Sequence, residues 1–105
     1  MQVQVNTDSS IKGDQRLEEY VTEAVETKLK RFREDLSRVE VHLRDENSEK
    51  GGSDDKRCMM EARVKGLKPT AVTFKHGTVK GAINGAVGKM RTALDRELGK
   101  RKEHR

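Results

Sequence analysis

The chain of 105 residues has no tryptophan, one tyrosine, two phenylalanines, one proline and one cysteine. Each shortage excludes something. Three aromatic rings cannot make the base-stacking ladder of an RRM-type sheet. A lone Cys58 cannot form an internal disulfide, so cytoplasm is the simplest expected compartment. No run of about 18 apolar residues exists, so no helix spanning a membrane is expected. The start, MQVQVNTDSS, has no apolar core of a secretory signal. Only 31% of the residues are hydrophobic, which predicts one compact domain over 1–100 with a thin core, followed by a basic tail, 101–105.

What is abundant is charge, at 39% of the residues and a net +5. It is segregated. Residues 1–27 hold two basic against six acidic groups, residues 28–57 nine against eight, and residues 58–105 twelve against four. A positive C-terminal half points to a polyanionic partner, most often nucleic acid.

The hydrophobic pattern is regular. Val3 and Val5 alternate with polar residues, as on a half-buried strand. Asp14 is a suitable N-cap for a helix over Gln15 to Phe32. Its stripe is Leu17, Tyr20, Val21, Ala24, Val25, Leu29 and Phe32. Alternation returns at Val39, Val41 and Leu43, again at Cys58, Met60, Ala62 and Val64, and after a turn at Lys68-Pro69 in Val72 and Phe74. Between the second and third strands, SEKGGSDDK reads as a polar hairpin tip. A second helix is expected from Thr78 to about Arg101. The order is β-α-β-β-β-α, an α+β fold with a four-stranded sheet and two helices packed on one face. The first crossover should make strands one and two parallel, with a right-handed connection.

The second helix carries Gly81, Gly85 and Gly88 in its interior, at about 1 kcal/mol each relative to alanine. On a helical wheel they fall opposite the apolar stripe, flanked by Lys80 and Arg91 on one side and by Lys89, Arg96 and Lys100 on the other. This pattern predicts a bare solvent-facing strip that a phosphate backbone can approach closely.

Catalytic signatures are missing. There is no phosphate-binding glycine loop, and His42, His76 and His104 do not pair with Cys58 at metal-ligand spacing. Cys58 falls on an inward position and reads as core. No enzyme, metal or cofactor is expected, and no small-molecule substrate.

Two stretches, VETKLKRF ending the first helix and AINGAVGKM in the second, resemble the ribosome hibernation promoting factor family, also known as sigma-54 modulation proteins. The likeness runs over nearly the whole chain. It departs at Asn84 and Gly88, where such sequences usually carry aspartate, and at Lys80, where they often carry tyrosine. The resemblance implies binding to ribosomal RNA of the small subunit between head and body, with occlusion of the messenger and transfer RNA channel under stress. The RNA-binding residues implied by charge and position are Lys28, Lys30, Arg31, Lys80, Lys89, Arg91, Arg96, Lys100, Arg101 and Lys102. Longer relatives add a domain that pairs ribosomes; this chain is expected to be a short form, monomeric in solution. Two other readings compete. A double-stranded RNA-binding domain is similar but normally begins with a helix. A protein-interaction module modulating transcription would dock a helix on the glycine strip.

Overall fold

The computed structural model describes residues 1–9, 11–46 and 55–103, the last four as backbone only. Its strands are β1 (Gln2–Thr7), β2 (Leu36–Asp45), β3 (Lys56–Val64) and β4 (Thr70–His76), and its helices are α1 (Gln15–Lys28) and α2 (Val79–Glu103). They follow in the expected order, in one sheet of order β1-β2-β3-β4. β1 runs parallel to β2, with Val3 opposite Val39 and Val5 opposite Val41. The β2–β3 and β3–β4 pairs are antiparallel.

Strand periodicity decides which side is buried. Val39, Val41 and Leu43 of β2 and Cys58, Met60, Ala62 and Val64 of β3 are buried on the side where both helices lie. Val21 and Val25 of α1, and Ile83, Val87, Met90 and Leu94 of α2, close over them. No polar or charged residue is buried among the described residues. The register of β2 shifts between Leu36 and Arg38. The extra residue, Ser37, sends its hydroxyl to the Arg63 carbonyl (3.3 Å) and lets both Leu36 and Val39 face the core.

Asp14 caps α1 by accepting from the Leu17 N–H (3.0 Å). The helix stops earlier than its apolar stripe predicts. It ends at Lys28, with Leu29 as its C-cap, and a 3₁₀ turn spans Lys30–Phe32. The tighter turn keeps both Leu29 and Phe32 in the core while the chain swings into β2. The reversal between β3 and β4 also differs from expectation. It lies at Lys65-Gly66, where Gly66 has φ +77° and the Leu67 N–H reaches the Val64 carbonyl (3.1 Å). Lys68-Pro69 follows the turn and leads into β4. The hairpin tip expected over 47–54 lies outside the described residues. α2 continues to Glu103, close to the end expected near Arg101.

The glycine strip is corrected. Gly81 and Gly85 do not face open solvent; they face the chain's own β4. A Cβ at Gly85 would overlap the Phe74 ring, and one at Gly81 would overlap the His76 ring. The wheel located the apolar stripe correctly. It could not show that the edge strand lifts two rings against the helix's far flank. Only Gly88, of the three, has open space where a side chain would go.

Two measurements follow from this packing. Gly88→Ala should raise stability by up to about 1 kcal/mol through helix propensity alone. Gly85→Ala should lower it, because the gain is outweighed by a displaced Phe74 at about 1–3 kcal/mol; urea melts of the two variants should move in opposite directions. Cys58 is fully buried, and loss of hydration pushes its thiol from 9.0 up to about 12. A raised folded value means that its contribution to stability is complete below pH 9 and is lost as the pH climbs toward 12. At neutral pH a thiol reagent should label the protein only at the rate of its opening, and Cys58→Ala should flatten the alkaline part of the stability curve.

Candidate nucleic-acid interface

The two helices lie side by side and run in the same direction. The Asn84 amide donates to the Tyr20 hydroxyl (2.8 Å), and Arg31 pairs with Asp95 (2.8 Å). The partners are eleven residues apart on both segments, about three helical turns, so the register is kept along the seam. Lys80 tops one end of this seam, its ammonium 5.1 Å from the centre of the Tyr20 ring. Arg91 stands on the same flank of α2, one turn before Asp95.

The ten cations implied by the sequence fall into distinct settings. Lys28 and Lys30, at the end of α1 and in the turn after it, are exposed and have no ion pair among the described residues. Arg91 and Arg96 are likewise exposed and unpaired there. Arg31 is committed: it holds Asp95 and lies 5.2 Å from the centre of the Phe32 ring. Lys89 is also committed, donating to the Thr73 carbonyl on the outer edge of β4 (2.8 Å). Lys89 and Arg96 line a shallow groove of about 390 Å³ between α2 and β4, with Val72, Gly88 and Thr92. They sit on the opposite flank from Lys80 and Arg91. Lys100, Arg101 and Lys102 continue the helical backbone.

Two cations escaped the sequence reading. Lys12 and Arg16 join Lys80 around one cleft at the start of the helices. Their segment is net acidic, which hid them. The available signal was local: Arg16 stands one turn before Tyr20 on the stripe side of α1.

The remaining surfaces are of different character. The outer face of α1 is acidic, with Glu18, Glu19, Glu23 and Glu26 along a shallow surface. The open face of the sheet is a lattice of opposite charges. Glu40 receives Arg38 (3.0 Å) and Arg63 (3.5 Å), while Glu46 receives Arg57 (3.7 Å) and Lys75 (3.5 Å). Like charges stand directly across the β2–β3 pair, Arg38 opposite Arg63 and Glu40 opposite Glu61, and the diagonal Arg63–Glu40 pair, with Arg38–Glu40 and Arg63–Glu61 along the strands, relieves them. Among the described residues no cluster of three His, Cys, Asp or Glu is placed to hold a metal ion, and no helix is long and apolar enough to cross a membrane.

An α+β domain with several exposed, unpaired cations on its helix layer is thus the class to compare. The chain belongs to the sigma 54 modulation protein / S30EA ribosomal protein family, whose model matches residues 4–102. Among solved structures, it resembles the Protein Y N-terminal domain of Thermus thermophilus at 18% identity. The match covers 91% of this chain and 98% of that one, with a TM-score of 0.72. It also resembles a ribosomal subunit interface protein from Coxiella burnetii at 15% identity, over 94% and 99% of the two chains, with the same TM-score. No curated protein matches the chain.

The Arg31–Asp95 pair is exposed, so Asp95→Asn should cost less than about 1 kcal/mol. It should also free the Arg31 guanidinium and remove a negative charge from the seam. Later elution from heparin, with a nearly unchanged melting curve, is the expected outcome.

Proposed function

We propose that this chain binds the small ribosomal subunit through ribosomal RNA and silences translation by occluding the messenger and transfer RNA channel, as a hibernation factor in stress. The observation that supports this reading most directly is the set of exposed, unpaired cations, Lys28, Lys30, Arg91 and Arg96, on the helix layer of a fold whose family bears a ribosomal name. The acidic outer face of α1 adds direction. It repels phosphate, so the helix ends and α2 would approach RNA while α1's outer face stays turned away.

The mechanism is steric, with no bond made or broken. Cations replace counterions on the phosphates, so affinity falls steeply with salt. The protein reads shape over most of this surface, since apart from Tyr20 its helix layer offers little to stack on bases. The bound form is a monomer acting in the cytoplasm.

Co-sedimentation with purified small subunits across a salt series tests the reading. Wild type should saturate near one copy per subunit and dissociate as salt rises. The Lys28→Ala, Arg91→Ala, Arg96→Ala triple variant removes no ion pair found among the described residues. It should bind more weakly, with a salt slope shallower by about 0.7–0.9 for each phosphate that is no longer neutralised. It should also fail to inhibit translation in a purified system. Absence of saturable binding at low salt would overturn the proposal, and salt-resistant binding to another protein would favour an interaction module.

A further inference from the structure

A cleft of about 470 Å³ opens where α1 and α2 begin. It is within the size range of small-ligand sites. Its walls come from four segments: the loop before α1, the first turns of α1, the start of β3 and the start of α2. Ile11, Leu17 and Val79 give it an apolar floor; Ile11 is buried and the other two are half-buried. Tyr20 forms one side, its hydroxyl fixed by Asn84.

The rim is positive. Lys12, Arg16 and Lys80 are exposed, and none has an ion pair among the described residues. The fourth cation, Lys56, is different: Asp55 (3.0 Å) and Asp45 (3.3 Å) more than offset its charge, so it serves as a wall and not as free charge. Three uncompensated cations over an apolar floor call for a ligand with a flat apolar body and an anionic end. Arginine matches phosphate oxygens with paired donors, and lysine adds point charge.

We infer that this cleft binds a nucleoside phosphate, with the base on the Ile11, Leu17 and Val79 floor beside Tyr20 and the phosphates on Lys12, Arg16 and Lys80. The occupant is either a free nucleotide or an unstacked nucleotide of an RNA chain. An extended acidic peptide fits less well, because the apolar floor is compact and the free charges surround it. The site stands on its own geometry and does not depend on the ribosome reading.

Equilibrium titration of the full chain separates the sources. The probes are ATP, adenosine, inorganic triphosphate and a short single-stranded oligoadenylate. ATP should saturate one site. Adenosine and triphosphate, each lacking half of the recognised chemistry, should bind about tenfold more weakly or worse. Arg16→Ala and Lys80→Ala should each weaken ATP by about tenfold, the worth of one charge-assisted hydrogen bond to phosphate. Both residues are exposed, and circular dichroism checks that the variants fold. Lys65→Ala, in the turn between β3 and β4, should leave binding unchanged. If only the oligonucleotide saturates, with the same dependence on Arg16 and Lys80, the inference holds and the source is RNA. No saturable binding of either overturns it. So does binding that ignores the two substitutions, or triphosphate binding as tightly as ATP. Sedimentation with ribosomal subunits is a separate readout, so failure of the cleft and failure of the proposed function are distinguishable.

Discussion

The seating of Phe74 and His76 against bare helix backbone at Gly81 and Gly85 fixes the distance between α2 and the sheet edge. Much else depends on that distance. It brings Lys89 within reach of the Thr73 carbonyl, so a lysine covers part of the unpaired edge of β4. It also leaves the opposite flank of α2 against α1, where Asn84 and Asp95 meet Tyr20 and Arg31. The glycines lower intrinsic helix stability, and tertiary packing of Ile83, Val87, Met90 and Leu94 offsets the loss. His76 has a second role at the same junction. Its Nδ1 accepts from the Thr78 N–H (3.1 Å), and the Thr78 hydroxyl accepts from the Gly81 N–H (3.0 Å) at the first turn of α2. The side chain that requires a glycine thus also organises the helix start.

Charge in this molecule divides into what the fold uses and what it leaves free. Arg38, Arg57, Arg63 and Lys75 are held in the lattice on the open sheet face, and Lys56 is held at the start of β3. The helix layer keeps Lys28, Lys30, Arg91 and Arg96 available, with Lys12, Arg16 and Lys80 at its other end. Net charge alone would not distinguish the two faces. The pairing separates most of these cations, because a cation next to a carboxylate contributes little field at a distance; Arg44, exposed on the open face, is the exception, with no ion pair among the described residues.

The topology was legible because each strand alternates and each helix has a single stripe; the parallel β1–β2 pair follows from the helix between them, which returns the chain to the end of the sheet where β1 began. Local geometry was less so. The 3₁₀ turn at Lys30–Phe32 continues the helical spacing, and periodicity cannot tell it from another turn of α1. Proline drew the predicted turn to Lys68-Pro69, while the left-handed conformation needed for the reversal fell to Gly66. For the functional surface, charge counting found the half of the chain but not the commitment of each side chain. Arg31 and Lys89 look as free as Arg91 in sequence, and only the fold brings Asp95 and the Thr73 carbonyl to them. The cleft was invisible for a related reason: its floor and rim are drawn from residues 11 to 80.

The departures from the resembling sequences acquire a physical meaning in this light. At position 84, aspartate could only accept a hydrogen bond from Tyr20, whereas Asn84 donates to it. The seam keeps its link between α1 and α2 and loses a negative charge. At position 88, glycine replaces a carboxylate where nothing packs, so the change removes charge without disturbing any neighbour. Lys80 places an ammonium on the Tyr20 ring where a second phenol is more usual. All three differences shift α2 and its seam toward positive potential, and none disturbs the core.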